Sequence, residues 1–160
     1  MRLKEIPGFV VYDIYKRMIF QRGHMEKMMP IDMRYAFDQY HIRYVIGMAR
    51  HFNIGLRLLM NEGIIDEYIY YPISDGNLSN GTIDSLVGLA ENIASKISKD
   101  SAVLCHCNAG RNRSGLMCAL ILCCVAGISG SEALEIVRKE RPRAIATPFF
   151  ESLLKDIVCS

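Results

Sequence analysis

The sequence predicts an α/β domain: a central mixed, mostly parallel sheet flanked by helices. Three observations predict it. Short β-branched and aromatic runs interleave with stretches of helical apolar spacing. A four-residue apolar run, Ala102 to Cys105, is too short for a helix and sits just ahead of a long apolar one, as a central strand would. The chain is 160 residues long and 51% hydrophobic, which excludes intrinsic disorder and suits one domain, residues 1–160, with a sizeable core.

Phe9 to Tyr12 and Met18 to Phe20 read as short edge strands. Gln21 to Met29 is polar and Met-rich, hence a loop, and its methionines (Met25, Met28, Met29, with Met33 beyond) read as core or loop filler. Pro30 suits the first turn of a helix running to Gln39. Ile42 to Met48 is β-branched and aromatic, a strand. Phe52 to Met60 reads as a short helix stopped at Gly63. Ile64 to Ile73 reads as a strand closed by Pro72, and Ser74 to Gly81 is dense in turn formers. Ile83, Leu86, Val87, Ala90, Ile93, Ala94 and Ile97 follow helical spacing. Ser114 to Ala126 is a helix apolar nearly all round, hence interior. Ser129 and Glu132 form a capping box for a helix ending near Arg141-Pro142. Thr147-Pro148 opens the last helix, with Phe149, Phe150, Leu153, Leu154, Ile157 and Val158 inward.

A net charge of +2, evenly distributed, is too mild for a nucleic-acid binder and leaves no charged tail. The cluster from Arg138 to Arg143 reads as a solvated helix end, since cations favour helix C-termini, with RNA or acidic lipid as the sharper alternative. The longest apolar run, Leu116 to Ile128, falls short of the roughly 20 residues that span a bilayer. Met1 to Pro7 has no apolar core of a signal peptide, and Cys123 and Cys124 are adjacent, so a reducing, cytoplasmic setting is expected. Cys105, Cys118, Cys123, Cys124 and Cys159 are then small core residues. No metal or cofactor is expected. His24, His41, His51 and His106 lack ligand spacing, and Cys105 and Cys107 sit one residue too close for a C-x-x-C hook.

The informative stretch is Val103 to Gly115, VLCHCNAGRNRSG. A strand ends at Cys107, and Arg113 and Ser114 open a helix. The backbone amides of Asn108, Ala109, Gly110, Arg111 and Asn112 can curl into an anion nest, aimed along the helix N-terminus. Gly110 permits the tight turn. Arg113 adds a planar fork of donors matched to two phosphate oxygens. Cys107 lies at the centre of this positive field, which favours a thiolate poised for in-line attack on phosphorus. The plainer alternative is a buried cysteine before a helix, with Arg113 as a surface charge.

His106-Cys107-Asn108-Ala109-Gly110-Arg111-Asn112-Arg113-Ser114-Gly115 resembles the His-Cys-x5-Arg-Ser/Thr signature of the cysteine-based protein tyrosine phosphatase superfamily. The chain is similar to its atypical dual-specificity branch over residues 41–158, with Arg141-Pro142 through Phe150 resembling the family's segment before its last helix. The resemblance implies a protein tyrosine phosphatase-like fold and a phosphatase working through a phosphocysteine intermediate. Cys107 would be nucleophile, and Arg113 would bind phosphate and the transition state. Ser114 would ease departure of the sulfur, unless it is only a helix cap. His106 would order the loop rather than move protons.

The leaving group needs a proton donor on a mobile loop. Asp75, in Tyr71-Pro72-Ile73-Ser74-Asp75, matches the branch's Pro-Ile-x-Asp segment at a similar distance before the cysteine. A plain turn aspartate is the alternative, and Asp66, inside a strand, and Asp84, opening a helix, are weaker candidates. The Trp-Pro-Asp loop of the larger tyrosine-specific enzymes is absent, since the chain has no Trp. The expected substrate is a protein carrying phosphotyrosine, phosphoserine or phosphothreonine. Phosphoinositide and RNA 5′-triphosphate are alternatives, the latter because relatives acting on RNA carry Asn where Asn112 stands. A phosphate-binding pseudophosphatase ranks lower, because cysteine, arginine and acid are all in place. The Arg111 side chain should point over the pocket rim and favour extra negative charge beside the scissile phosphate.

Overall fold

The computed structural model describes residues 1–23, 25 and 28–157, with Pro30 described by its backbone alone. His24, Val158 and Cys159 lie outside the described residues.

Three strands come first, β1 (Arg2–Ile6), β2 (Phe9–Tyr15) and β3 (Ile19–Arg22). There follow α1 (Pro30–Tyr40), β4 (Ile42–Gly47), α2 (Ile54–Asn61), β5 (Glu67–Tyr70), α3 (Asn80–Ala94) and β6 (Ala102–His106). Three helices close the order: α4 (Arg113–Ala126), α5 (Gly130–Glu140) and α6 (Pro148–Asp156). The six strands form one sheet in the order β1-β2-β3-β6-β4-β5. Pairings from β3 through β6 and β4 to β5 are parallel, and β1–β2 and β2–β3 are antiparallel. The sheet is therefore mixed and mostly parallel, as expected.

Two expectations need correction. The strands at 9–12 and 18–20 are not edges: β1 is the edge, and β3 lies inside, paired with β6. In β1 only Leu3 and Ile6 are buried, so its polar residues hide it from an apolar-run reading. The strand expected over 64–73 shrinks to Glu67–Tyr70. Ile64 and Ile65 instead donate to the Leu59 carbonyl and finish the turn after α2. Beyond β5, Tyr71 and Ile73 donate to Gly47 and Met48, so the chain follows β4 as far as Asp75's loop.

Alternation of side chains puts one core on each face of the sheet. Ile19, Ile46, Val103 and Cys105 face one side with Leu86, Leu116, Leu134 and Phe150 of α3 to α6. Phe9, Phe20, Val45 and Leu104 face the other with Met33, Phe37, Leu56 and Leu59 of α1 and α2. Every residue of α4 from Ser114 to Cys123 is buried, so this apolar helix is interior, as expected. Ser129 caps α5 by accepting from the Glu132 amide. Cys105, Cys118 and Cys123 are buried, and Cys124 is half-buried. Met25 and Met33 are core residues, whereas Met29 is exposed. Among the described residues, no helix is long and apolar enough to cross a membrane.

Candidate active site

The signature residues lie at the C-terminal end of β6, the strand between β3 and β4. His106 ends the strand, Cys107 to Asn112 turn, and α4 begins at Arg113. Gly110 sits at φ +64°, and a Cβ there would lie 2.6 Å from the Arg22 carbonyl carbon. A Cβ at Gly23 would lie 2.9 Å from the Asn108 carbonyl oxygen. Two glycines thus let the end of β3 and the loop meet backbone to backbone.

The carbonyls of Ala109, Gly110 and Arg111 are held from outside the loop. Arg141 Nε donates to the Gly110 oxygen at 3.0 Å and its Nη2 to Ala109 at 3.4 Å. The Arg111 oxygen accepts from the Ile145 amide at 3.2 Å and from Gln21 Nε2 at 3.3 Å. The Asn108 oxygen faces Gly23. In a planar trans peptide the N–H points opposite to the carbonyl. The amides from Ala109 to Asn112 consequently turn inward, a concave set of donors of the kind that can hold an anion. Added to the N-terminal dipole of α4, they concentrate positive partial charge around the loop's centre.

Cys107 is buried at this centre, its Sγ 3.2 Å from Ser114 Oγ. Arg113 is half-buried at the first turn of α4, and its Nε has no protein partner among the described residues. Arg111 is exposed, with its guanidinium in no ion pair among the described residues.

His106 is buried, and its pKa falls to about 4, first because burial penalises the charged ring and then because the Arg22 cation repels it. It is a neutral residue under the loop, consistent with an ordering part rather than proton transfer. Arg22, stacked 4.6 Å from the Phe9 ring centroid, is itself lowered by burial to about 10 and stays cationic at neutral pH. Burial, then the neighbouring Cys105 and Cys107, raise the Cys118 thiol well above its ordinary range, which fits a core residue.

Asp75 comes to the same place from the loop after β5. Its Oδ1 accepts from Thr147 Oγ1 at 3.1 Å and its Oδ2 from Asn112 Nδ2 at 3.5 Å. Asn112 Oδ1 accepts from the Ala146 amide at 2.8 Å, so one side chain ties the signature loop to both neighbouring segments. Asp66 is not inside a strand: it precedes β5, at the opposite end of the parallel strands, and pairs with Arg43. Asp84 lies one turn inside α3, with no hydrogen bond to the signature loop among the described residues. A cavity of about 800 Å³ beside the start of β4 contains none of the motif residues.

The cluster from Arg138 to Arg143 is more than a solvated helix end. Arg138 donates to the Ala144 and Ile145 carbonyls and pairs with Glu151. That arginine, and then Lys155, hold the Glu151 carboxyl down to about 2. Arg141 stacks 4.3 Å from the Tyr12 ring centroid while it grips the loop. Sequence reading missed Arg141, Thr147 and Gln21. For Gln21 a signal existed: it shares a strand face with Ile19 and therefore points into the core. Among the described residues, no three His, Cys, Asp or Glu side chains cluster as a metal site.

A family model described as "Dual specificity phosphatase, catalytic domain" matches residues 31–156. No curated protein matches. Among solved structures, the Cydia pomonella PTP-2 phosphatase superposes with a TM-score of 0.71 at 20% identity, over 91% of this chain and 88% of that one. Human DUSP28 gives 0.64 at 18%, over 91% and 90%. PTPMT1 in complex with PI(5)P gives 0.68 at 20%, over 91% and 92%. At these identities the likeness is one of fold. The family match spans most of the sequence and contains both the nest and the Asp75 loop, and the chain belongs to the dual specificity phosphatase family of cysteine-based phosphatases.

Proposed function

We propose that the chain, as one catalytic domain, hydrolyses phosphate monoesters on proteins through a phosphocysteine intermediate. The single observation that carries this is Cys107 Sγ set against Ser114 Oγ at the mouth of α4, ringed by inward amides. The strands β1 to β3 precede the family match yet belong to the same sheet, which supports one domain.

In the first step the Cys107 thiolate attacks phosphorus. A P–S bond forms, the P–O bond to the leaving group breaks, and Asp75 protonates the departing oxygen. The loop amides and the Arg113 guanidinium bind the phosphoryl oxygens and gain most where charge is spread in the transition state. In the second step Asp75 takes a proton from water, the water oxygen attacks phosphorus, and the P–S bond breaks. The Ser114 hydroxyl then hydrogen-bonds the sulfur as its electron pair returns.

A phosphoinositide substrate is the second reading. It is favoured by the exposed Arg111, which has no ion pair among the described residues, and by the fold shared with PTPMT1, which is described with bound PI(5)P. The cue for RNA 5′-triphosphate weakens, because the Asn112 amide is spent on Asp75 and Ala146.

Cys107→Ser tests the mechanism. A serine hydroxyl stays protonated where a thiol ionises, so turnover should vanish while inorganic phosphate still binds. EDTA should leave the wild type active. Substantial turnover by the variant, or complete loss with EDTA, overturns the reading. Phosphopeptides, phosphoinositides and RNA 5′-triphosphate compared side by side then identify the substrate class.

A further inference from the structure

Gln21 is fully buried on β3, directly opposite Cys105 of β6. Its Nε2 lies 2.9 Å from Ser114 Oγ and 3.3 Å from the Arg111 carbonyl oxygen. A carbonyl oxygen can only accept, so the atom facing both must be the amide nitrogen, and the orientation of this amide follows from chemistry. The Ser114 oxygen is thereby an acceptor from Gln21, and its own hydrogen is free for another partner. Cys107 Sγ lies 3.2 Å away. The Gly110 carbonyl, one turn back, is already held by Arg141.

A second observation bears on why a glutamine stands here. Its Oε1 is buried with no partner among the described residues. Leaving a buried acceptor unpaired is costly, whereas an apolar side chain of similar shape carries no such penalty. The neighbouring position is Gly115, where a Cβ would come within 3.3 Å of the Gln21 nitrogen, so the amide has been given room. A polar group kept at a penalty, and aimed at one hydroxyl, points to a role for that hydroxyl.

We propose that Gln21 is a positioning residue for the second chemical step: its amide nitrogen fixes the Ser114 hydroxyl as a donor to the Cys107 sulfur. The inference rests on the phosphocysteine reading above. In the first step sulfur gains a bond to phosphorus and needs little help from a donor. In the second step the P–S bond breaks and the electron pair returns to sulfur, where a hydrogen bond already in place stabilises it. A donor that itself accepts a hydrogen bond is polarised and donates more strongly.

The test is rapid-quench kinetics with an aryl phosphate on the full chain, comparing wild type, Gln21→Met, Ser114→Ala and the double variant. Methionine keeps the shape and removes the donor. Phosphocysteine formation should stay within about twofold, while its hydrolysis should slow about tenfold, the order expected for losing one hydrogen bond to a charged atom. A burst of phenolate should then precede a slower steady state. Ser114→Ala should give the same burst, and the double variant should lose nothing further in the second step. A merely structural role would lower both rate constants together, or reduce the burst amplitude alone. Either result, or multiplicative losses in the double variant, overturns the proposal. Gln21→Leu repeats the test if the Met variant folds poorly. Acid-stable phosphate trapped on wild-type Cys107 checks the underlying mechanism separately, so the two can fail independently.

Discussion

Thr147 Oγ1 donates a 3.1 Å hydrogen bond to Asp75 Oδ1 across 72 positions of sequence. Asn112 holds the other carboxylate oxygen, so the acid loop, the signature loop and the turn before α6 meet in one polar junction. The junction places Asp75 beside the nest without burying it, leaving a group that can approach a leaving group by a small loop movement.

Asp75→Asn should therefore lower kcat by roughly 10²–10⁴ on an alkyl phosphate. The loss should be smaller on an aryl phosphate, because a phenol departs with less help, and the basic limb of the pH–rate profile should flatten. Asp66→Asn and Asp84→Asn should behave nearly as wild type. If either of those shows the leaving-group pattern and Asp75→Asn does not, the acid is misassigned.

Arg111→Ala separates rim charge from chemistry. The guanidinium is exposed and without an ion pair among the described residues, so it is available to a second anionic group on the substrate. KM should rise for a multiply phosphorylated substrate, while kcat for a small aryl phosphate should hardly change. The penalty should shrink as salt rises, since an exposed charge is screened. Equal KM changes on singly and multiply phosphorylated substrates, measured at two salt concentrations, would discard this.

His106 should make the fold acid-sensitive. Its folded-state pKa of about 4 lies below the ordinary histidine value, so between these pH values the unfolded chain binds the extra proton. Stability from this residue is full above about pH 6.5 and is lost as pH falls toward 4, by on the order of 3 kcal/mol. Urea denaturation at pH 7 and pH 4 should show wild type losing more than His106→Gln by about that amount. An equal loss in both proteins would mean that the buried ring is not held neutral.

Much of this architecture can be read locally, and the rest cannot, for a physical reason. The turn at Gly110, the caps at Ser79 and Ser129 and the proline start of α6 are decided by neighbours in sequence. The interior position of α4 is likewise visible in its unbroken apolar run. Contacts such as Arg141 to Gly110, Thr147 to Asp75 and Gln21 to Ser114 join residues far apart, and nothing in their local sequence marks a partner. β1 escaped because its ladder bonds, not an apolar run, make it a strand.

The outward carbonyls of the signature loop make reactivity a late product of folding. The groups that hold them come from β3 and from positions 141 and 145, on either side of the nucleophile in the chain. During synthesis Cys107 emerges before the residues that complete its cradle. Until that later segment docks, the amides have no reason to converge. The cradle is thus complete only once segments from both sides of the nucleophile have come together.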